Sequence, residues 1–88
     1  MLERELRIIN PLGLHARAAA KLVRCAVQFQ STVTLCRDDA TADAKSILSV
    51  LALAASFGTM VRIIVDGPDA EDAMKSLSIL FLTGFGEI

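Results

Sequence analysis

The single histidine of the chain, His15, stands two residues before an arginine in the segment NPLGLHARAAAKLV, residues 10–23. A run of strong helix formers begins at Ala16, so His15 falls at or next to the N-cap of a predicted helix. The first amides of a helix have no intrahelical acceptor and attract anions. The Arg17 guanidinium can bind the oxygens of the same anion. The spacing therefore predicts a phosphate site formed by His15, Arg17 and the backbone amides of Ala16 and Arg17.

An imidazole in this position can act as a nucleophile. The positive end of a helix favours the uncharged ring, and an uncharged ring nitrogen can accept a phosphoryl group. Phosphoryl transfer depends mainly on positioning and charge stabilisation, so such a site needs no metal of its own. The residues alone leave a simpler alternative open, in which His15 only satisfies turn hydrogen bonds and Arg17 is solvated. One histidine without paired ligand spacing predicts no metal site, and we expect no cofactor.

Composition limits the class of protein. An 88-residue chain with 53% hydrophobic residues predicts one domain over residues 1–88. A formal charge of -1 argues against a broad basic surface, so we expect no nucleic-acid or membrane partner. Without an apolar signal or membrane segment, we expect a protein of the cytoplasm. We also expect a monomer. Cys25 and Cys36 are predicted to be buried free thiols.

The elements that position the histidine follow from the hydrophobic periodicity. Alternating residues predict strands over 2–9, 31–37 and 60–66, with a poor edge strand near 40–43. Three- and four-residue spacing predicts the first helix from Ala16 to about Gln28, with Ala19, Ala20, Val23, Ala26 and Val27 on its buried face. The order β-α-β-β-α-β-α indicates an α/β (α+β) fold, an open-faced two-layer β-sandwich. Its four-stranded, mostly antiparallel sheet has three helices on one face.

Helix boundaries are predicted from caps and glycines. Ser46 is placed to cap a second helix that Gly58 closes. Asp69 and Asp72 are placed to satisfy free amides at the start of a third helix. Gly84 and Gly86 are expected to fray the C-terminus. The tail FLTGFGEI is more apolar than a solvated end, which leaves open whether it folds back or makes a contact.

Several motifs together resemble a known family. GLHARAAAKLV is followed by AKSIL at residues 44–48, and later by GT and DGPDAEDA. Over residues 3–82 this pattern is similar to HPr, the histidine-containing phosphocarrier family of the bacterial phosphotransferase system. The resemblance implies the open-faced sandwich and a stoichiometric carrier, not an enzyme. It also implies that His15 accepts a phosphoryl group on Nδ1 from enzyme I and passes it to IIA domains, for sugar uptake, regulation or both, with Arg17 stabilising the phosphate.

One position departs from the pattern of the family. A proline usually follows the motif arginine, whereas this chain has Ala18. Proline near the start of a helix pre-sets the backbone, but alanine is also a strong helix former and keeps an additional amide donor. We expect a slightly looser loop with activity retained.

Ser46 is a candidate second site. As a residue type it is simply a good helix cap. The motif KSI resembles the regulatory serine of HPr proteins, which implies phosphorylation by HPr kinase/phosphorylase. A phosphate there would be tolerated by the helix dipole and would add negative charge beside the docking surface. The expected consequence is inhibition of acceptance from enzyme I.

The second predicted helix is apolar on almost every side, although a two-layer fold covers only one side. We therefore expect part of it to form a docking surface for acidic partner proteins, with ordinary core packing as the alternative. The predicted docking residues are Leu14, Ile47, Leu48 and Leu51, rimmed by Arg17, Lys21, Arg24 and Lys45.

A second class of function is compatible with this layout. Small β-α-β-β-α-β folds host many ligand-binding and protein-interaction modules, so the alternative is a small regulatory module of that kind. No nucleotide-binding loop, metal cluster or acid-base pair supports a self-sufficient enzyme. Phosphorylation of His15 discriminates between the carrier and the module.

Overall fold

The computed structural model describes all of residues 1–88 and has the predicted order of elements. In chain order these are β1 Leu2–Arg7, α1 Ala16–Ala26, β2 Thr32–Arg37, β3 Ala40–Asp43, α2 Ile47–Leu53, β4 Met60–Asp66 and α3 Ala70–Leu82, followed by a 3-10 turn at Gly84–Gly86. The first strand is shorter than predicted. Ile8 is nevertheless fully buried, and it exchanges backbone hydrogen bonds with residues 58 and 59.

The four strands form one sheet in the order β1-β4-β2-β3, and all three pairings are antiparallel. In the central part of the sheet Leu6 lies opposite Val61, and Leu35 lies opposite Ile63. Because strand residues alternate between faces, these apolar side chains share one face. The three helices cover that face, so the predicted open-faced two-layer sandwich is confirmed.

The core lies between the sheet and the helices and is almost entirely apolar. Its largest fully buried side chains include Ile8, Leu22, Leu35, Leu53, Ile63, Leu77 and Phe81. On the uncovered face of the sheet, Arg62 lies 3.8 Å from the carboxylate of Glu3. None of the three helices combines the length and the apolarity that crossing a membrane requires.

The first helix ends earlier and turns a different face inward than predicted. It ends at Ala26, and its buried residues are Ala18, Ala19, Leu22 and Ala26. Val27, expected inside, is 54% exposed, whereas Ala20 and Val23 are only partly buried. Small alanines allow a helix to pack closely on either of two neighbouring faces, so their spacing left the rotation ambiguous.

The second helix also ends before its predicted stop. Its last residue is Leu53, and Ala54 takes the left-handed conformation, with φ of 54°, that ends a helix. Gly58, predicted to close this helix, lies beyond it in the turn before β4, and its amide donates to Ile8. An alanine in the left-handed region carries no signal in the sequence that distinguishes it from a helical alanine.

The C-terminus does not fray. Phe85 is 1% exposed and its ring centroid lies 5.1 Å from that of Phe81. Gly84 and Gly86 have positive φ, which lets the chain turn back tightly after α3. Burial of an aromatic side chain therefore outweighs the flexibility of the two glycines.

Both cysteines are free thiols, and only one of them is buried. Cys36 is buried, whereas Cys25 is only partly buried. Burial raises the pKa of the Cys25 thiol. The prediction of two buried thiols is therefore wrong for Cys25, and a thiol with a raised pKa is poorly reactive.

Asp69 does not cap α3 with its side chain, contrary to the prediction. Its carboxylate instead accepts hydrogen bonds from the amides of Gln30 and Ser31, each at 2.9 Å, and from the Ser31 hydroxyl. Gly67 passes so close to this turn that a Cβ would lie 2.5 Å from the Ser31 Cα atom. These contacts join the start of α3 to the loop between α1 and β2.

Hydrogen bonds from the Ser31 hydroxyl and the Gln30 amide hold the pKa of Asp69 below its ordinary value of 3.8. A depressed pKa means that the folded state binds the ionised carboxylate more favourably than the unfolded state does. The stabilisation by Asp69 is therefore complete above the pKa that this group has in the unfolded chain. It is lost as the pH falls through the lower pKa of the folded protein. We expect Asp69→Asn to lower the free energy of unfolding at about pH 7, with the difference from wild type narrowing as pH falls below the ordinary value. Urea unfolding of both proteins at a series of pH values measures this difference in the free energy of unfolding.

The matched control is Asp72→Asn, an exposed carboxylate in the first turn of the same helix. It should leave the shape of the stability profile against pH unchanged. A difference between wild type and Asp69→Asn that is equally large in acid and at neutral pH would refute the assigned role of the carboxylate.

Candidate functional site

His15 is the N-cap of α1, as predicted. Its backbone is extended, with φ of -77° and ψ of -178°, and its carbonyl accepts from the Ala19 amide at 2.8 Å. The Nδ1 atom of the ring accepts from the backbone amide of Arg17 at 3.4 Å. The side chain is 27% exposed. The lone pair of Nδ1 thus faces the first amides of the helix, and the ring remains accessible to another molecule.

Three contacts hold the loop in front of the histidine. The Leu14 amide donates to the carbonyl of Ala55 at 2.9 Å, and Asn10 Nδ2 donates to the carbonyl of Gly13 at 2.8 Å. Gly13 has a φ of +67°, and a Cβ there would lie 2.7 Å from the Ala55 oxygen. Only glycine permits this close approach. The loop is therefore fixed against the segment that follows α2.

Apart from the Arg17 amide, the donors around the ring are unused within the chain. The backbone amides of Ala16 and Ala18 have no backbone acceptor, and the Arg17 guanidinium makes no hydrogen bond or ion pair. The amide of Ala18 is the additional donor that a proline would remove. Arg17 lines an open cleft of about 390 Å³ together with Pro11, Leu12, Lys21, Gly86 and Glu87. Unpaired donors at a helix start are suited to binding a phosphate group.

The structure adds a residue that the sequence analysis missed. Glu87 Oε2 lies 2.6 Å from His15 Nε2, and Glu87 Oε1 accepts from Asn10 Nδ2 at 2.9 Å. The two members of the His15–Glu87 pair are 72 positions apart, so no local spacing connects them. The only feature of the sequence that pointed to this contact was the apolar character of the tail, which indicated that the end of the chain could pack against the rest of the protein.

Glu87 changes the electrostatics expected at the ring. Hydrogen bonds from Asn10 and then from His15 hold the pKa of Glu87 below its ordinary value. The helix N-terminus disfavours positive charge on the imidazole, whereas an adjacent carboxylate favours it. The two ring nitrogens thus meet opposite fields, with donors at Nδ1 and an acceptor at Nε2.

Ser46 occupies the N-cap of α2, as predicted, and its hydroxyl accepts from the Ser49 amide at 3.3 Å. The residue is partly buried. Neighbouring contacts order the turn before it, because the Ser49 hydroxyl accepts from the Asp43 amide at 2.9 Å. The hydroxyl of Ser46 therefore lies at an ordered helix start.

The predicted docking residues divide into three groups. Ile47 and Leu48 are 40% and 76% exposed, whereas Leu51 is only partly exposed and packs against the core. Leu14 is 4% exposed and belongs to the core, so its place in the docking surface is corrected. Its side chain is turned inward because its backbone is tied to Ala55.

The basic residues predicted to rim this surface also differ from one another. Lys21 Nζ donates to the carbonyl of Phe85 at 2.7 Å, and Lys45 Nζ donates to that of Phe29 at 2.8 Å. Arg24 is exposed and, like Arg17, has no partner within the chain. The two lysines therefore support the structure of the chain, while the two arginines are free to contact another molecule.

Two further apolar residues that the sequence analysis did not name are exposed on segments near the histidine loop. Leu12 is 72% exposed and Phe57 is 63% exposed. The adjoining Gly13 lies against residues 55–57, which brings the histidine loop to the end of α2. We call Leu12, Ile47, Leu48 and Phe57 the apolar patch. No group of three or more His, Cys, Asp and Glu side chains is arranged to hold a metal ion.

Comparisons with known proteins agree with this fold. The family model described as "PTS HPr component phosphorylation site" matches residues 2–82. The phosphocarrier protein HPr of Xylella fastidiosa strain Temecula1 is 52% identical over 87 residues, 99% of this chain and 98% of its own. The HPr of Cupriavidus necator is 49% identical over the same shares. The crystal structure of HPr from Thermoanaerobacter tengcongensis has a TM-score of 0.96 at 39% identity, covering 100% of this chain and 99% of the other.

An open-faced sandwich with a histidine at the start of its first helix defines a phosphocarrier, not a catalytic enzyme. The chain belongs to the HPr family of the phosphotransferase system. The resemblance stated from the motifs is confirmed, and so is the class of function.

Proposed function

We propose that His15 accepts a phosphoryl group on Nδ1 from phosphorylated enzyme I in the cytoplasm and passes it to IIA domains, for sugar uptake, regulation or both. The observation that carries this proposal is the N-cap position of His15, with Nδ1 turned toward the helix amides and the Arg17 guanidinium unpaired beside it. Membership of the HPr family supports the same role.

In the proposed step, the Nδ1 lone pair forms a bond to phosphorus while the bond between phosphorus and its donor in enzyme I breaks. The electron pair of that bond goes to the donor atom. The phosphoryl oxygens are then stabilised by the amides of Ala16 and Arg17 and by the guanidinium of Arg17. In the transfer to a IIA domain, an acceptor atom of that domain forms a bond to phosphorus while the P–N bond breaks, and the electron pair of that bond returns to Nδ1.

Incubation with phosphoenolpyruvate, Mg²⁺ and enzyme I tests the proposal. We expect a phosphoprotein that is labile in acid and stable in base, because the phosphate is bonded to nitrogen, and we expect His15→Ala to abolish it. Ser46→Ala is the matched control and should still be phosphorylated. A wild-type protein that acquires no phosphate would refute the carrier and favour the interaction module.

We further infer that Ser46 is a regulatory phosphosite for HPr kinase/phosphorylase. Ser46 is partly buried at the cap of α2 and directly precedes Ile47 and Leu48, two residues of the apolar patch. A phosphate there would add about -1.5 to -2 charges at neutral pH. Repulsion of an acidic partner surface would then slow docking.

For Ser46→Asp we expect the rate of phosphoryl acceptance from enzyme I to fall by about tenfold or more at low salt, since charge at a docking surface acts on association rates of that order. Ser76→Asp adds the same charge on α3 and should accept at the rate of wild type. The measurement is the initial rate of phosphoprotein formation. Equal rates for Ser46→Asp and wild type would contradict the regulatory role.

We also propose that the apolar patch is the shared docking surface for enzyme I and IIA domains. A partner must reach within contact distance of His15, and the patch includes Leu12, three residues before it, and Phe57, next to the loop that carries it. The free guanidinium groups of Arg17 and Arg24 suit acidic partner surfaces.

Leu48→Lys tests this surface. Burial of a leucine in an interface contributes on the order of 1–2 kcal/mol, so we expect partner affinity to fall by about tenfold in kinetic or calorimetric titrations. Leu82→Lys on α3 is the control, because Leu82 is a comparably exposed leucine, at 57%. If both variants behave like wild type, the patch is not the docking surface.

A further inference from the structure

The C-terminal end of α2 is held by a side chain from another element. Arg37, the last residue of β2, donates a hydrogen bond from Nε to the carbonyl of Leu53 at 2.9 Å. The last carbonyls of a helix have no amide partner within the helix, and they attract positive charge. Because α2 has no basic residue in its own last turn, the guanidinium of Arg37 supplies both the donor and the charge from outside.

This contact is the main interaction of Arg37 within the chain. Its side chain is 33% exposed, and Nη1 lies 3.5 Å from the carboxylate of Asp38, which is 88% exposed. An ion pair with so exposed a partner contributes little. The hydrogen bond to Leu53 is shorter and partly buried, so it fixes the position of the guanidinium against α2.

The end of α2 needs this support because its turn is strained. Ala54 has a φ of 54° and a ψ of 38°, a left-handed conformation that a Cβ atom disfavours and that glycine adopts readily. A helix of seven residues contributes little stability of its own. Contacts outside α2 must therefore hold Ala54 in this conformation, and the hydrogen bond from Arg37 is made to the residue directly before it.

The residue after Ala54 holds the histidine loop. The carbonyl of Ala55 accepts from the amide of Leu14 at 2.9 Å, and Leu14 directly precedes His15. The two segments are in close contact, since a Cβ at Gly13 would lie 2.7 Å from the Ala55 oxygen. A change in the backbone of Ala54 would therefore move the acceptor that holds the loop.

We propose that Arg37 is a positioning residue for phosphoryl transfer, which fixes the backbone of the histidine loop through the C-terminal turn of α2. The inference rests on the proposed phosphocarrier function. By holding the carbonyl of Leu53, Arg37 stabilises the left-handed turn at Ala54. This turn keeps the Ala55 carbonyl on the amide of Leu14. Arg37 thus acts through the backbone and adds no charge to the phosphate.

Arg37→Met tests this role, because methionine keeps an unbranched apolar side chain but has no donor. We expect the Leu14 amide to exchange with deuterium about tenfold faster relative to the amide of Ile63 in the central strand, since the loop opens locally. With this protein as the varied substrate of enzyme I, kcat should fall by about tenfold through misplacement of the ring. KM should change by less than about threefold, because the exposed residues of α2 are retained.

A second substitution shows whether Arg37 acts through the turn. Ala54→Gly removes the strain of the left-handed conformation, so the turn no longer depends on the guanidinium. In Arg37→Met/Ala54→Gly, the exchange of the Leu14 amide and kcat should both return to within about threefold of wild type. A residue that touched the partner directly would not be rescued in this way.

Arg62→Met is the matched control, since it removes the same charge from the uncovered face of the sheet, where Arg62 is 51% exposed. It should change neither quantity. An unchanged Leu14 exchange or an unchanged kcat in Arg37→Met overturns the proposal, and so does a double variant that fails to recover both. A wild-type protein that accepts no phosphate overturns the proposed function, and the role of Arg37 in transfer with it. The exchange measurement needs no enzyme I, so the two failures are distinguishable.

Discussion

The unpaired amides at the start of α1 are the constraint on which the site depends. A helix cannot satisfy its first donors internally, and here the residue placed before them is a histidine whose ring satisfies only one, over 3.4 Å. The remaining donors, together with the Arg17 guanidinium, have no partner in the chain. The positive field at the start of α1 is therefore not neutralised by any group of the chain.

The position of this helix start is set by contacts that lie outside the helix. Leu14 is anchored by its side chain in the core and by its amide on Ala55, and Gly13 permits the close approach between the two segments. The sheet and its three helices thus act as a rigid support for a short loop. In the proposed function, this rigid support presents one nitrogen atom of the loop to a partner protein.

The end of the chain completes the surroundings of the histidine. Burial of Phe85 and the contact of Lys21 with its carbonyl turn the tail back toward α1. This delivers the Glu87 carboxylate to the ring nitrogen that does not face the amides. With an acceptor at Nε2 and an amide donor at Nδ1, the two ring nitrogens have different environments, so the orientation of the imidazole is defined. The amides at the helix start alone would not fix it.

The order of elements, the strand faces and the position of the histidine at a helix N-cap were determined by the sequence itself. They depend on local periodicity and capping, which the side chains of Ser46 and of the alternating strands display directly. The motifs around His15 and Ser46 also indicated the family, because their joint spacing is specific.

The tertiary structure alone decided the rotation of α1, the end of α2 at Ala54, the burial of Leu14 and the contacts of Asp69 and Glu87. Each of these depends on groups distant in the chain, such as the 72 positions that separate Glu87 from His15. A glutamate in a glycine-containing tail carries no local pattern that connects it to a histidine so far away in the chain. The packing of Phe85 against Phe81 and the contact of Lys21 with the Phe85 carbonyl turn this glutamate toward the site, and such long-range contacts leave no periodic pattern in the sequence.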